Sequence, residues 1–213
     1  IAKLKDIDDI PFDETNLKRD IELLQTKKFA ALDDKRGEAM IATIMEARKN
    51  QDSIGGVLDT AVIGLEAGLG EPEFDSIESV LSHAMFSIPA VKGIEFGEGF
   101  HFADLYGSQA NDSFAIQDGK VVTKTNHNGG INGGISNGMP IRFRIVVKPT
   151  PSIAKEQDSV DVSTMQEKKL TIAGRHDPAV IHRARVVVDA LTAIILTNFL
   201  LERHGSLYFG DEK

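Results

Sequence analysis

Cysteine is absent from the 213-residue chain, and so is tryptophan. Without cysteine there can be no disulfide framework, no thiolate nucleophile and no thiolate metal site, and the composition suits a reducing compartment, so a cytoplasmic location is expected. An excess of basic residues is missing too: 24 Lys and Arg stand against 32 Asp and Glu, for a formal net charge of −8. Nucleic acid rewards a basic surface, so nonspecific nucleic-acid binding is excluded. The six histidines show no His-Glu-x-x-His or related spacing, so no metal site is expected. Arg183, Arg185 and Asp189 break the most apolar stretch, and on that ground no membrane span is expected. Neither a signal peptide nor an h-region is visible. The chain opens on Ile1-Ala2-Lys3-Leu4, which reads as the middle of a strand. It is expected to be a fragment or a processed product.

What is present is ample for a core. Hydrophobic residues make up 41% of the chain, enough for one domain or a tightly joined pair. Apolar residues recur at three- and four-residue spacing from Gly37 to Arg48, behind Asp33 or Asp34 as a cap, which predicts a helix. Ser53 to Leu65 reads as a strand, Gly70-Glu71-Pro72 as a turn, and Ser76 to Phe86 as a second helix. Val91 to Phe96 and Ile141 to Val147 are β-like. Asp118-Gly119 is the turn that a hairpin between Phe114-Ala115-Ile116 and Val121-Val122 prefers. A further hairpin is expected to span Val160 to Ile172, and a long buried helix to run from Asp177 to Leu201, with Asp177 as cap and Pro178 in the first turn. Val186, Val187, Ala190, Leu191, Ile194 and Leu200 are its expected inward residues. Irregular alternation with at least two hairpins favours an antiparallel α+β fold over a doubly wound parallel one.

Chemistry is concentrated in three places. The run from Asn126 to Ile141 is dense in Gly and Asn, residues that tolerate positive φ and can turn several N–H groups toward one anion, so it is a candidate ligand cradle. No lysine ends the run, since Gly133-Gly134 is followed by Ile135-Ser136, and nucleotide triphosphate hydrolysis by a P-loop is excluded. His127 beside it reads as an ordinary loop histidine. Lys148-Pro149-Thr150-Pro151-Ser152 ends the following strand with a cation and two hydroxyls on a segment stiffened by two prolines, a good phosphate clamp. Gly174-Arg175-His176-Asp177-Pro178 opens the long helix, placing an Arg, a His and an Asp where an anion and a proton can be addressed together. Arg142, Arg144, Lys148, Arg175, Arg183 and Arg185 all fall near these motifs, as anion contacts or as a solvated basic face. Gly97-Glu98-Gly99 imitates a dinucleotide fingerprint but lacks its third glycine, and it reads as a plain turn.

Taken in order, Gln51-Asp52-Ser53-Ile54-Gly55-Gly56, Ser87-Ile88-Pro89-Ala90-Val91-Lys92-Gly93, the Gly/Asn run, Lys148 to Ser152, and Gly174 to Pro178 resemble the chorismate synthases. The resemblance runs from about Ile1 to Leu201 and lacks the family's amino-terminal Ser-His-Gly and Arg-rich motifs. It implies that residues 1–213 are the carboxy-terminal portion of a single domain in which a helical layer is sandwiched between antiparallel β-sheets, assembled as a homotetramer.

The activity implied by the resemblance is the anti-1,4-elimination of phosphate from 5-enolpyruvylshikimate-3-phosphate to give chorismate, a lyase reaction of the shikimate pathway toward aromatic amino acids that requires reduced FMN. Whether the flavin is reduced with NADP as the nicotinamide partner or by an external reductant is left open. Carried over position by position, Pro89, Ala90, Gly133, Lys148, Pro149, Thr150, Pro151, Ser152 and Arg175 look like the FMN contacts. Asp177 looks like the residue that helps move a proton. The family often has Asn where Pro89 stands, which leaves a backbone contact there. Because the missing part carries the acid histidines and most substrate-binding arginines, the chain alone is expected not to turn over. The alternative is a catalytically silent flavin- or anion-binding or oligomer-assembly module.

Overall fold

The computed structural model of the chain describes residues 1–205. In chain order its elements are β1 (Lys3–Leu4), β2 (Ile7–Asp8), α1 (Leu17–Thr26), α2 (Asp34–Lys49), β3 (Gly56–Val62), α3 (Ile77–Phe86), β4 (Val91–Phe96), α4 (Gly107–Ala110), β5 (Phe114–Gln117), β6 (Lys120–Thr123), β7 (Ile131–Asn132), β8 (Ile135–Ser136), β9 (Ile141–Val147), β10 (Gln157–Asp161), β11 (Gln166–Leu170) and α5 (Ile181–His204). Five strands form an antiparallel sheet in the order β2-β1-β3-β9-β4, and β5-β6, β7-β8 and β10-β11 are separate two-stranded hairpins. The fold is α+β with antiparallel pairing throughout, as the sequence pattern predicts.

Alternation along β9 builds the core. Ile141, Phe143, Ile145 and Val147 are all buried, and Leu58 stands opposite Ile145 on β3, so one face of the sheet is apolar and lies under α3 and α5. The other face is charged. Arg144 sits opposite both Asp59 and Glu95 and forms an ion pair of 2.8 Å with Glu95. Arg142 is held by Asp59 at 3.0 Å and by Glu14, with its guanidinium 4.8 Å from the Phe12 ring centroid. One dry face and one polar face is what an antiparallel sheet permits.

Local signals set most element ends. Asp33 accepts from Arg36 N–H at 2.8 Å and starts α2; Ser76 accepts from Ser79 N–H at 3.0 Å and starts α3. The strand expected over Ser53 to Leu65 is the shorter β3, because Ser53 and Ile54 spend their polar groups on other segments. The long helix needs a larger correction. It begins at Ile181, not at Asp177, and Val180 is its N-cap. Asp177 instead closes a local turn by accepting from Ala179 N–H at 3.0 Å, while the Pro178 carbonyl accepts from Ile54 N–H at 2.8 Å.

The face that α5 buries differs from expectation at four of six residues, while Leu191 and Leu200 are half-buried against the core as expected. Ile181, Ala184, Val188, Thr192, Leu196 and Phe199 point into the core at helical spacing. Val186, Val187 and Ile194 are 61%, 46% and 57% exposed in the single chain, and Ala190 is exposed as well. Arg183, Arg185 and Asp189 do not disqualify the helix as a span either: by length and composition its 24 residues are apolar enough to cross a membrane. A core helix passes the same test, and α5 gives one face to the core of this domain.

Candidate functional site

Four of the five sequence motifs meet at one end of the sheet. The Ala90 carbonyl accepts from Lys148 N–H at 2.8 Å, carrying the β4–β9 ladder one step beyond its last paired residues. Ala90 has φ +74°, a left-handed conformation that costs a residue with a Cβ about 1–2 kcal/mol. Such strain is kept where the surroundings hold it in place, often at a ligand site. Pro89, beside it, is exposed.

The Lys148–Ser152 segment is tied down from two further directions. Ser53 Oγ donates to the Thr150 carbonyl at 2.6 Å. Ser152 Oγ lies 3.2 Å from His176 Nδ1, and His176 Nε2 lies 2.8 Å from the Ile172 carbonyl. Lys155, just past the segment, pairs with Asp52 at 2.6 Å, an interaction that holds the Asp52 carboxyl below its ordinary value together with the Ser53 N–H. With Ile54 N–H on Pro178, residues 51–56 form the seam between the 148–152 and 174–178 segments.

The cations separate into two groups. Arg142 and Arg144 are neutralised by carboxylates on the charged face of the sheet, Arg183 by Asp177 at 3.1 Å, and Arg185 reaches the Lys27 carbonyl at 3.5 Å. Among the described residues Lys148 and Arg175 have no carboxylate partner. With the hydroxyls of Thr150 and Ser152, they are donors of the kind that a phosphate-bearing cofactor takes. Asp177, with its side chain 29% exposed, lies on the rim of a hollow of about 360 Å³ whose floor is Phe29, Ile41, Ile44 and Met45. Phe29 stacks on His182 there, ring centroids 5.5 Å apart.

Gly133 is not brought to this site within the chain. It occupies the β7–β8 hairpin, whose next glycine accepts through its carbonyl from Ile77 N–H at the start of α3. That is the Ile141 end of β9, separated from Lys148 by the strand's length, roughly 20 Å. Most of the Gly/Asn run serves the chain's own packing: a Cβ on Gly129, Gly130 or Gly134 would come within 2.5–2.6 Å of a backbone carbonyl oxygen. Gly133 differs, with φ +59° and nothing within 4 Å of the same point. His127 is tied to the protein through its backbone N–H, which donates to Asp112 Oδ1 at 2.8 Å. Asp112, which the sequence did not single out, anchors the run by accepting also from Thr125, Asn128 N–H and the Asn128 side chain.

A larger hollow of about 470 Å³ lies between β3, α1 and α5; of the candidate anion contacts it holds Arg185, and it holds none of the predicted cofactor contacts nor Asp177. Burial pushes the Asp59 and Asp189 carboxyls above their ordinary values there, against the opposing pull of Arg142 on the first and Arg185 on the second. Among the described residues no three His, Asp or Glu side chains gather into a metal-holding set.

The family model described as chorismate synthase matches residues 1–201. The chain is 49% identical over 162 residues to a chorismate synthase of Dehalococcoides mccartyi, covering 76% of this chain and 44% of that one. It is 46% identical over 171 residues to one of Thermococcus gammatolerans (80% and 48%) and 45% identical over 182 residues to one of Pyrococcus abyssi (85% and 51%). It therefore spans about half the length of the curated relatives it matches. A solved chorismate synthase structure superposes with a TM-score of 0.73 at 29% identity, covering 90% of this chain and 50% of that one.

Proposed function

Since the chain belongs to the chorismate synthase family, we propose that it forms the carboxy-terminal portion of a single chorismate synthase-like domain and supplies much of the flavin site. In the full-length protein this domain would be a carbon–oxygen lyase, converting 5-enolpyruvylshikimate-3-phosphate to chorismate by anti-1,4-elimination of phosphate. The observation that carries the reading is the meeting of the Lys148–Ser152 and Gly174–Pro178 segments at one sheet end, where neither Lys148 nor Arg175 has a carboxylate partner among the described residues.

Reduced FMN, when bound, supplies the electron density that loss of an allylic phosphate demands. The chain's own residues do the rest. Lys148 and Arg175 neutralise anionic oxygens, and Thr150 and Ser152 offer hydroxyls from a segment that Pro149, Pro151 and the Ser53 bond keep from rearranging. Pro89 and Ala90 present backbone beside them. Asp177 Oδ1 is fixed by Ala179 N–H. Its Oδ2 faces Arg183, whose side chain is 75% exposed and free to move aside, so Oδ2 is the atom that handles a proton.

Assembly as a homotetramer in the cytoplasm accommodates Gly133, since the hairpin of one copy can face the 148–152 segment of another. The apolar residues that α5 leaves exposed, Val186, Val187 and Ile194, favour an assembly role beside the catalytic one. Anaerobic assay of the full-length protein tests the function: phosphate should leave 5-enolpyruvylshikimate-3-phosphate only when reduced FMN is supplied. Equal release without flavin would overturn the reading. The isolated chain should bind FMN weakly and show no turnover; an intact multimer that ignores flavin would favour assembly alone.

A further inference from the structure

His176 stands between two groups of opposite demand. Its Nε2 is 2.8 Å from the Ile172 carbonyl, which can only accept, so Nε2 carries a hydrogen in every protonation state that keeps this bond. In the neutral ring Nδ1 is then the bare nitrogen. Ser152 Oγ, 3.2 Å from it, must donate. The serine hydrogen is thereby turned toward the ring, and Ser152 shows a ligand only lone pairs.

A phosphoryl group accepts and does not donate when fully ionised. To bond it, Ser152 must turn its hydrogen outward, which leaves a lone pair of Oγ facing the bare Nδ1. That arrangement is repulsive unless Nδ1 gains a hydrogen of its own. With it, Nδ1–H donates to Oγ, Oγ–H donates to the phosphoryl oxygen, and Nε2–H still donates to Ile172, so every donor has one acceptor. We propose that binding of a phosphate-bearing ligand at Ser152 is coupled to uptake of one solvent proton by His176. Imidazole is the side chain suited to this, because its charge changes within about pH 5 to 8.

The charged groups around the pair set the balance. Arg175 and Asp177 flank His176 in the chain, and Asp177 is already paired with Arg183. The segment bearing Ser152 brings Lys148, and Lys155 beyond it is paired with Asp52. The two ion pairs are internally neutral, so a bound phosphoryl dianion is the new charge to which the ring proton responds. By reciprocity, a proton that follows the ligand in must also tighten its binding. The coupling rests on the reading of this segment as the FMN phosphate site.

Calorimetric titration of the full-length protein with FMN, in buffers of different ionisation enthalpy, counts the protons exchanged. Riboflavin, which lacks the phosphate, is the control. Proton uptake with FMN should exceed that of His176→Gln and of Ser152→Ala, and FMN affinity should rise about three- to tenfold as pH falls from about 8 to about 6.5 in the parent but not in either variant. Riboflavin should show neither effect. Equal proton uptake in parent and His176→Gln, or a Ser152→Ala variant that keeps the pH dependence, would overturn the coupling while leaving the flavin reading intact. Failure of the parent to bind FMN at all would overturn both.

Discussion

Ser53 Oγ donates to the carbonyl of Thr150 at 2.6 Å, and the next residue, Ile54, donates its N–H to Pro178 at 2.8 Å. Two consecutive residues thus fasten the proline-stiffened clamp to the segment that carries Asp177. Ser53→Ala should remove one anchor and leave the Thr150 carbonyl to solvent, at a cost of about 1 kcal/mol in stability. The larger effect should appear in binding. FMN affinity of the full-length protein should fall about fivefold, since the ligand must then order the segment itself. Fluorescence titration against thermal melts separates the two, and an unchanged affinity would mean that the prolines and the remaining ties to Ala90, His176 and Asp52 hold the clamp without Ser53.

Gly133 and Gly134 are adjacent, yet Ala substitutions there should behave differently. A Cβ on Gly134 would come within 2.6 Å of the Glu71 carbonyl and 2.7 Å of Ser76 Cβ, so Gly134→Ala must displace backbone and should cost about 2–3 kcal/mol. At Gly133 the same atom meets nothing, and only the positive φ is penalised, by about 1 kcal/mol. If Gly133 of one copy faces cofactor held by another, Gly133→Ala should weaken FMN binding by at least about fivefold in the assembled protein with little change in melting temperature. Unchanged affinity would withdraw Gly133 from the cofactor set.

Much of this arrangement was legible in residue types, and the remainder depended on where pairing brought them. Asp33, Ser76 and the Asp118-Gly119 turn act locally, and each marks an element end that the structure keeps. Helix α1 carried no such signal: it buries only Leu17 and Asp20, and the Asp20 carboxylate is satisfied by Arg19 and by Asp13 N–H. Pro178 looked like the first turn of α5, but its carbonyl is used by a residue more than a hundred positions earlier, which no local pattern reveals. The density of apolar residues along α5 likewise hid which stripe faces inward. The clamp and Asp177 were recognisable as chemistry. That Gln51 to Gly56 forms the seam between them, and that Gly133 lies at the far end of β9, are facts of strand register.

Acid should loosen the Gly/Asn run through Asp112. Burial disfavours the charge of this carboxylate, but donors from Asn128, Thr125 and His127 outweigh it and hold its titration below the ordinary range. A carboxylate depressed in the folded state contributes stability that is fully present above its unfolded value, about 4, and is lost as pH falls through the folded value. Asp112→Asn should therefore lower stability at pH 7 by about 2 kcal/mol, the scale of losing charge-assisted bonds to a buried group. The variant should also lose less on going from about pH 4 to about pH 2. Denaturant melts across that range check the sign, and a parent and variant that decline in parallel would remove Asp112 as the titrating anchor.

For Asp177, local structure and proton transfer give different outcomes from one substitution. Its structural work is an N–H bond from Ala179 to Oδ1 and an exposed pair with Arg183. Asn keeps an oxygen for Ala179 and gives up only the exposed pair, which is worth at most about 1 kcal/mol. Melting temperature and FMN affinity of Asp177→Asn should therefore stay close to the parent. An amide cannot take up or return a proton at the position of Oδ2, so turnover of the full-length enzyme should fall by about a hundredfold, the scale of losing a positioned acid–base group. The loss should appear in kcat with KM little changed, because the interaction removed acts in the transition state and not in substrate binding. Turnover within about twofold of the parent would leave Asp177 as a turn-closing residue and require another group to carry the proton.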